Sequence, residues 1–271
     1  MMTMPEMNSF DQQKIVYKTS GNPKHTPIVL IPGFAVDHTL WGMFLDKLAT
    51  NYYIILIDHR GTGLNSALSF PNDMMVLAHD IAAIIKAEKL AAAHIVGHSM
   101  GGYIAQHFAH SYPAMVTSLI LMSTYQKKFS NQTWSYKSLL ELVNYGVDRR
   151  ALIINSMPWL YSASYMDNEQ QCIDHIERMN EREFPPSIET ILAQINIINH
   201  FDASAFLAKL KMPTLVIGGD EDRIIPETYF QQLSQALPNA QLKIIQQTGH
   251  MIHIEKPNEV AKTIMDFIAN E

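Results

Sequence analysis

Seven short runs rich in β-branched residues recur along this 271-residue chain, beginning at Ile15, Ile28, Tyr53, His94, Val116, Thr214 and Leu242. From the second onward most are apolar at nearly every position, as in "IVLIP", "YIILID", "HIVGH", "VTSLILMS" and "TLVIGG". A strand that is apolar throughout is buried on both faces, the condition of a strand inside a parallel sheet covered by helices on each side. The covering helices are legible between the runs, where "TLWGMFLDKLA", "MMVLAHDIAAIIKAEKL", "GGYIAQHFAHSY", "TYFQQLSQAL" and "PNEVAKTIMDFIAN" carry apolar residues at helical spacing. In the second of these, Val76, Leu77, Ile81, Ile84 and Ile85 share one face, which leaves His79, Asp80, Lys86 and Glu88 to the other side. Strand and helix in alternation, joined by right-handed crossovers, predict an α/β fold: a doubly wound, mostly parallel sheet.

The alternation stops between about Tyr125 and Ala205. Four helical patterns follow one another there ("KSLLELVNYG", "DRRALIINSMPWLYS", "NEQQCIDHIERMNERE", "PSIETILAQINIINHF"), a stretch too long for a connecting loop. An all-helical insertion between two parallel strands is expected to sit over their carboxyl ends, where open α/β sheets bind ligands. The expected organisation is therefore a core of residues 1–124 and 206–271 carrying a helical lid, 125–205, that is an insertion and not an independent domain.

Inside the core, "GHSMGG" follows the strand run "HIVGH" and opens a helix. A turn from strand to helix within one or two residues drives the corner residue towards strained backbone angles, and glycines at 97 and 101 remove the collisions around it. Ser99 Oγ is thereby lifted above the sheet edge, and the Met100 amide is left unpaired at a helix N-terminus. A serine becomes a nucleophile when a base takes its proton and an acid orients the base. Later strand ends supply both residue types: "DEDRIIP" offers Asp220, Glu221 and Asp222, and "QTGHMIHIEKP" offers His250 and, nearer the following helix, His253. The loop after "IVLIP" can bring a second oxyanion donor, the Phe34 amide, close to the Met100 amide, because Gly33 allows close backbone approach. His98 is expected to pack, since neighbouring side chains at a strand end point to opposite faces.

Composition removes other classes. Apolar residues make up 47% and charged residues 17%, enough for a large core. Lys plus Arg is 20 against 26 Asp plus Glu, a net charge of −6 without a basic tract, so no nucleic-acid partner is expected. The opening "MMTMPEMNSF" lacks the basic and apolar regions of a secretory signal, and no apolar run reaches the roughly 18 residues of a membrane helix; a cytoplasmic protein with no membrane association is expected. Cys172 stands alone and excludes an internal disulfide framework. His107 and His110 lie three apart on a helix without a convincing third ligand, so no metal site is predicted. Nothing in the chain indicates an assembly state.

With these residues in place, "IPGF" with Trp41 downstream, "DHRGTGLNS", "GHSMGG", "PTLVIGGDEDRIIP" and "GHMIHIEKP" together resemble the α/β-hydrolase fold superfamily over nearly the whole chain. The order of motifs and the helical lid are similar to its esterase, enol-lactonase and pimeloyl-ester carboxylesterase group. The resemblance implies a Ser99, Asp222, His250 triad, the acid assigned because Gly219-x-x-Asp222-x-x-x-Pro226 matches the family spacing, and an oxyanion hole from the amides of Phe34 and Met100. Many relatives carry His-Gly where this chain has Pro32-Gly33. Asp58 and Arg60 match a family loop that is usually structural and are expected to form a turn-stabilising pair. The implied activity is hydrolysis of a small-molecule carboxylic ester, thioester or lactone through an acyl-enzyme, with no cofactor and no metal. Carbon–carbon bond hydrolysis, a lyase or synthase reaction, and a non-catalytic small-molecule receptor are the alternatives on the same fold. Met157, Trp159, Leu160, Tyr161, Tyr165 and Phe184 of the lid are the expected substrate-pocket residues. Arg149 and Arg150 are more simply solvated.

Overall fold

A computed structural model describes residues 2–271. In chain order the strands are β1 (Glu6–Asn8), β2 (Lys14–Val16), β3 (Lys18–Ser20), β4 (Pro27–Ile31), β5 (Tyr53–Leu56), β6 (Ala93–His98), β7 (Val116–Met122), β8 (Thr214–Gly219) and β9 (Ala240–Ile245). The helices of the core are α1 (Gly42–Ala49), α2 (Met74–Ala87) and α3 (Met100–Ser111); those between β7 and β8 are α4 (Ser130–Asn144), α5 (Arg149–Leu160), α6 (Ala163–Met166), α7 (Glu169–Asn180) and α8 (Ile188–His200). Three more, α9 (Glu227–Ala236), α10 (Ile252–Glu255) and α11 (Pro257–Ala269), complete the chain.

The seven-stranded sheet has the order β3-β5-β4-β6-β7-β8-β9. Only β3 runs antiparallel to its neighbour; the other pairs are parallel. Successive residues of the central strands go to opposite faces, each face meeting its own helices. Val29 and Ile31 of β4, Ile95 of β6 and Leu119 and Leu121 of β7 pack with Leu77 and Ile81 of α2, Ile104 and Phe108 of α3 and Phe230 of α9. Ile28, Leu30, Val96 and Ile120 pack on the other side with Phe44 and Leu48 of α1 and Val260 and Ile264 of α11. The sheet is the doubly wound, mostly parallel one that the continuous apolar runs predict. After β4 the chain moves outward to β5 and returns on the other side of β4 as β6. That reversal opens a crevice at the carboxyl ends of β4 and β6.

Several local expectations are corrected. The run at Ile15 is two strands: β2 pairs with β1 in a separate antiparallel hairpin, and β3 joins the edge of the main sheet. The helical pattern at Thr39 breaks at Gly42, whose φ of +38° ends a 3-10 turn before α1. β9 is an edge strand, exposed over Gln241–Lys243. The insertion holds five helices where four patterns were legible, the extra one being the single turn α6. Its two ends meet at the base, where Lys127 and Asp202 form an isolated bridge and Ala203 N donates to Gln126 O at 2.8 Å. Among the described residues, no helix is long and apolar enough to cross a membrane.

Asp80 is also corrected, being only 5% exposed and not on an open face of α2. Its partner is Arg60, which donates to Asp80 through Nε and Nη2, both at 2.8 Å, and to Asp11 through Nη1 and Nη2 at 2.6 and 2.9 Å. Asp58 and Arg60 therefore do not pair with each other. Asp58 instead accepts from His38 N, His38 Nδ1 and Leu64 N. The two forks of Arg60 tie the β1–β2 hairpin to α2 through the loop after β5. Burial pushes the Asp80 carboxyl up despite the guanidinium, so the ion pair sits in a site that punishes an unpaired charge. Arg60→Met is expected to lower unfolding free energy by about 3–5 kcal/mol in urea titrations, with Arg60→Met/Asp80→Leu recovering most of the loss. A loss under about 1 kcal/mol would show that the fork is dispensable.

Candidate active site

Ser99 occupies the corner between β6 and α3 with φ +54° and ψ −119°, a conformation that L-residues with a side chain rarely adopt. Three contacts hold it there: Ser99 N donates to Met122 O at 2.9 Å, and Ser99 O accepts from Gly102 N and Thr124 Oγ1, both at 2.8 Å. The flanking glycines are required by space. A Cβ on Gly97 would lie 2.3 Å from Gly101 O, and one on Gly101 would lie 2.2 Å from Ile31 O. Met100 is the first residue of α3, where an amide has no carbonyl one turn earlier to meet.

His250 follows β9, buried beside Asp222 of the loop after β8. His250 Nδ1 lies 2.8 Å from Asp222 Oδ2, while Asp222 Oδ1 accepts from Ile224 N and Ile225 N at 2.9 and 2.8 Å. A carboxylate only accepts, so Nδ1 carries the proton and the lone pair is on Nε2, the nitrogen a general base would use. Of the other two acids of this loop, Asp220 accepts from Thr248 N, and Glu221 accepts from Ala163 N at the start of α6. The main chain at His250 is held from two sides: its amide and that of Met251 both donate to Leu160 O, at 2.8 and 3.2 Å, and its carbonyl accepts from His98 Nε2 at 3.0 Å. His98 thus does more than pack. Its ring lies 5.0 Å from that of His250 and 4.7 Å from that of His253. Burial, reinforced by the neighbouring imidazoles, pushes His98 well below the usual range, and burial brings His253 to about 3. Both stay neutral near pH 7 and so place no positive charge of their own beside His250.

The loop after β4 reaches the same place. A Cβ on Gly33 would lie 3.2 Å from Ser99 Cβ, so Gly33 brings the Phe34 segment against the corner. The next residue is gripped by the insertion on both sides: Ala35 N donates to Gln194 Oε1 of α8 at 2.8 Å, and Ala35 O accepts from Arg182 Nη1 at 3.0 Å. Arg182 also pairs with the buried Asp37. Polar support for the loop after β4 comes from Gln194, Arg182 and Asp37. Neither Gln194 nor Arg182 carries a sequence signal, since each meets its partner across more than 140 residues.

Ser99 and His250 line one cavity of about 160 Å³ together with Gly33, Phe34 and Met251. Of the six expected pocket residues, Leu160 and Tyr161 line it. Met157 and Tyr165 pack with Leu40 and Ile176 in the small core beneath the insertion. Trp159, 50% exposed, borders an adjoining cavity that shares Phe34 and Tyr136, and Phe184 is 41% exposed at the surface. The wall instead includes Leu40, Tyr136, Ile153, His175, Met179 and Ile224, which sequence periodicity did not single out.

The remaining candidates have local partners. Arg149 donates to Met179 O and Arg150 pairs with Glu177, both within the insertion. His110 stacks on Phe206 and His107 meets the same ring edge-on. Cys172 is half-buried, its thiol pushed up by burial. Asp37, His38 and Asp58 gather ligand-type atoms within 4.8 Å of one another, but Asp37 is engaged by Arg182 and Asp58 by His38.

Known proteins share this architecture. Residues 26–257 match the family model for the alpha/beta hydrolase fold. "Putative carbamate hydrolase RutD" of Pseudomonas savastanoi is 27% identical over 251 residues, 89% of this chain and 93% of that protein. Among solved structures, a thermophilic esterase from Thermogutta terrifontis superposes with a TM-score of 0.85 at 25% identity, covering 99% of this chain and 98% of its own. The enol-lactonase from Burkholderia xenovorans LB400 superposes with a TM-score of 0.86 at 22% identity, covering 98% and 100%. A family match over this much of the chain, on a sheet whose reversal point carries a serine corner, means that the chain belongs to the α/β-hydrolase fold family.

Proposed function

We propose that this protein is a serine hydrolase cleaving a small carboxylic ester, thioester or lactone. Ser99 attacks the carbonyl while His250 Nε2 takes its proton and Asp222 holds Nδ1; the amides of Phe34 and Met100 receive the developing oxyanion. The leaving group departs with the proton from His250, and water activated by the same ring releases the acid from the acyl-enzyme. The cycle calls on no cofactor. Residues 125–205 act as the lid over this site. The observation that carries the proposal is the 2.8 Å Asp222–His250 contact on a loop whose imidazole shares one cavity with the strained serine. Turnover of activated esters of graded chain length, together with labelling of Ser99 by a fluorophosphonate, is the expected result. Absence of both in the folded protein would favour a receptor.

The RutD relative supports a second reading, carbamate cleavage at the same serine. A phenyl carbamate and the matching phenyl ester, compared by kcat/KM, separate the two. The apolar residues lining the cavity favour the ester.

A further inference from the structure

The cavity beside Ser99 holds few groups free to donate a hydrogen bond, and the phenols in its wall are those of Tyr136 and Tyr161. Ser135 and Ser156 line it, but their hydroxyls donate to the helix carbonyls of Gln132 and Ile153, at 2.8 and 2.7 Å. His98 donates to His250 O. A different arrangement stands on the insertion, where Tyr161, just past α5, meets His175 and Arg178 of α7. Tyr161 Oη is 2.9 Å from His175 Nε2, and Arg178 Nη2 is 3.4 Å from His175 Nδ1. Tyr161 and His175 both line the cavity and are 1% and 5% exposed.

The direction of these bonds follows from the chemistry of the groups. A guanidinium has donors only, so His175 Nδ1 accepts and carries no proton. Burial, with the Arg178 charge adding to it, brings His175 down to about 4, so the ring is neutral near pH 7 and its single proton is on Nε2. That proton is given to Tyr161 Oη, which makes the phenol oxygen the acceptor of this bond. The phenol's own proton is then not used by His175, and among the described residues Tyr161 Oη has no other hydrogen-bond partner. Burial holds the Tyr161 pKa well above its ordinary value, so the proton stays on.

We infer that Tyr161 is a specificity-determining residue whose hydroxyl, oriented by His175 and Arg178, donates to an uncharged carbonyl or ether oxygen carried by the substrate away from the scissile bond. This rests on the serine-hydrolase proposal and narrows its substrate class from plain alkyl esters to esters with a second oxygen acceptor. A donor in an enclosed, largely apolar wall discriminates because a substrate lacking the acceptor leaves it unpaired.

The test compares p-nitrophenyl pentanoate with p-nitrophenyl 4-oxopentanoate, equal in chain length and leaving group, each kcat/KM divided by that ester's rate with hydroxide. Wild type is expected to favour the oxo ester roughly tenfold, mostly through KM. Tyr161→Phe brings the ratio to about 1, and Arg178→Met, at an exposed position that removes the tautomer lock, lowers it about threefold. Tyr136→Phe removes the other phenol of the wall and is expected to keep the ratio. A wild-type ratio near 1, a ratio that survives in both Tyr161→Phe and Arg178→Met, or one lost in Tyr136→Phe instead, would overturn the inference while the esterase activity stands. No turnover of either ester and no labelling of Ser99 would overturn the hydrolase proposal, and the inference with it.

Discussion

Ser99→Ala is expected to lower kcat for an activated ester by about 10⁴- to 10⁶-fold and to abolish fluorophosphonate labelling, without loss of fold. The size follows from the chemistry: a methyl group cannot form the acyl-enzyme, and what persists is the rate supplied by the oxyanion donors and binding alone. Stability separates this from a folding defect. Alanine at φ +54° is as strained as serine, so the urea midpoint of Ser99→Ala stays close to wild type. Ser99→Gly relieves the strain and is expected to gain about 1 kcal/mol or more while being equally inactive. Residual kcat above about one hundredth of wild type in Ser99→Ala would place the nucleophile elsewhere.

A comparably large effect is expected in acid. Burial keeps the imidazoles of His59, His94, His98, His175 and His253 below the ordinary value of 6.5, with His94 and His175 at about 4 and His253 at about 3. Below pH 6.5 the unfolded chain binds protons that the native state refuses. Stability is therefore nearly complete above about pH 7.5 and falls as pH drops through 6.5 towards the native values, by on the order of 1 kcal/mol per imidazole per pH unit. Asp80 and Glu255, pushed up by burial, titrate in the opposite sense and offset a part. Unfolding free energies from urea titrations at pH 7.5, 6.5 and 5.5 are expected to fall by about 1–2 kcal/mol over the first step and by about 4–5 kcal/mol over the second. A flat profile across all three would mean that these rings are charged in the native state.

What was legible in the sequence was whatever local spacing dictates. Continuous apolar strands report burial on two faces, and Gly97, Ser99 and Gly101 report a tight corner; both need only a few adjacent residues. Side chains whose partners lie far along the chain were not legible in this way. Asp80 reads as the polar side of α2 because nothing near it announces the Arg60 fork. His98 reads as packing because its acceptor is a main-chain carbonyl 152 residues later. The pocket shows the same limit. The bulk of Met157, Tyr161 and Tyr165 was evident, but which of them faces the cavity depends on how α5, the residues just past it and α6 are set against the core, and that is fixed by long-range contacts such as those at Leu160 O.

The carbonyl of Leu160, accepting from both His250 and Met251, ends the helix that also furnishes the cavity wall. A single residue therefore belongs at once to the cavity wall and to the support of the proposed base. Exchanging the insertion for that of a relative, to borrow its substrate range, would unseat the imidazole unless an equivalent acceptor came with it. On the proposed function, selectivity and turnover would be mechanically coupled, and directed evolution of the one would keep returning to positions that control the other.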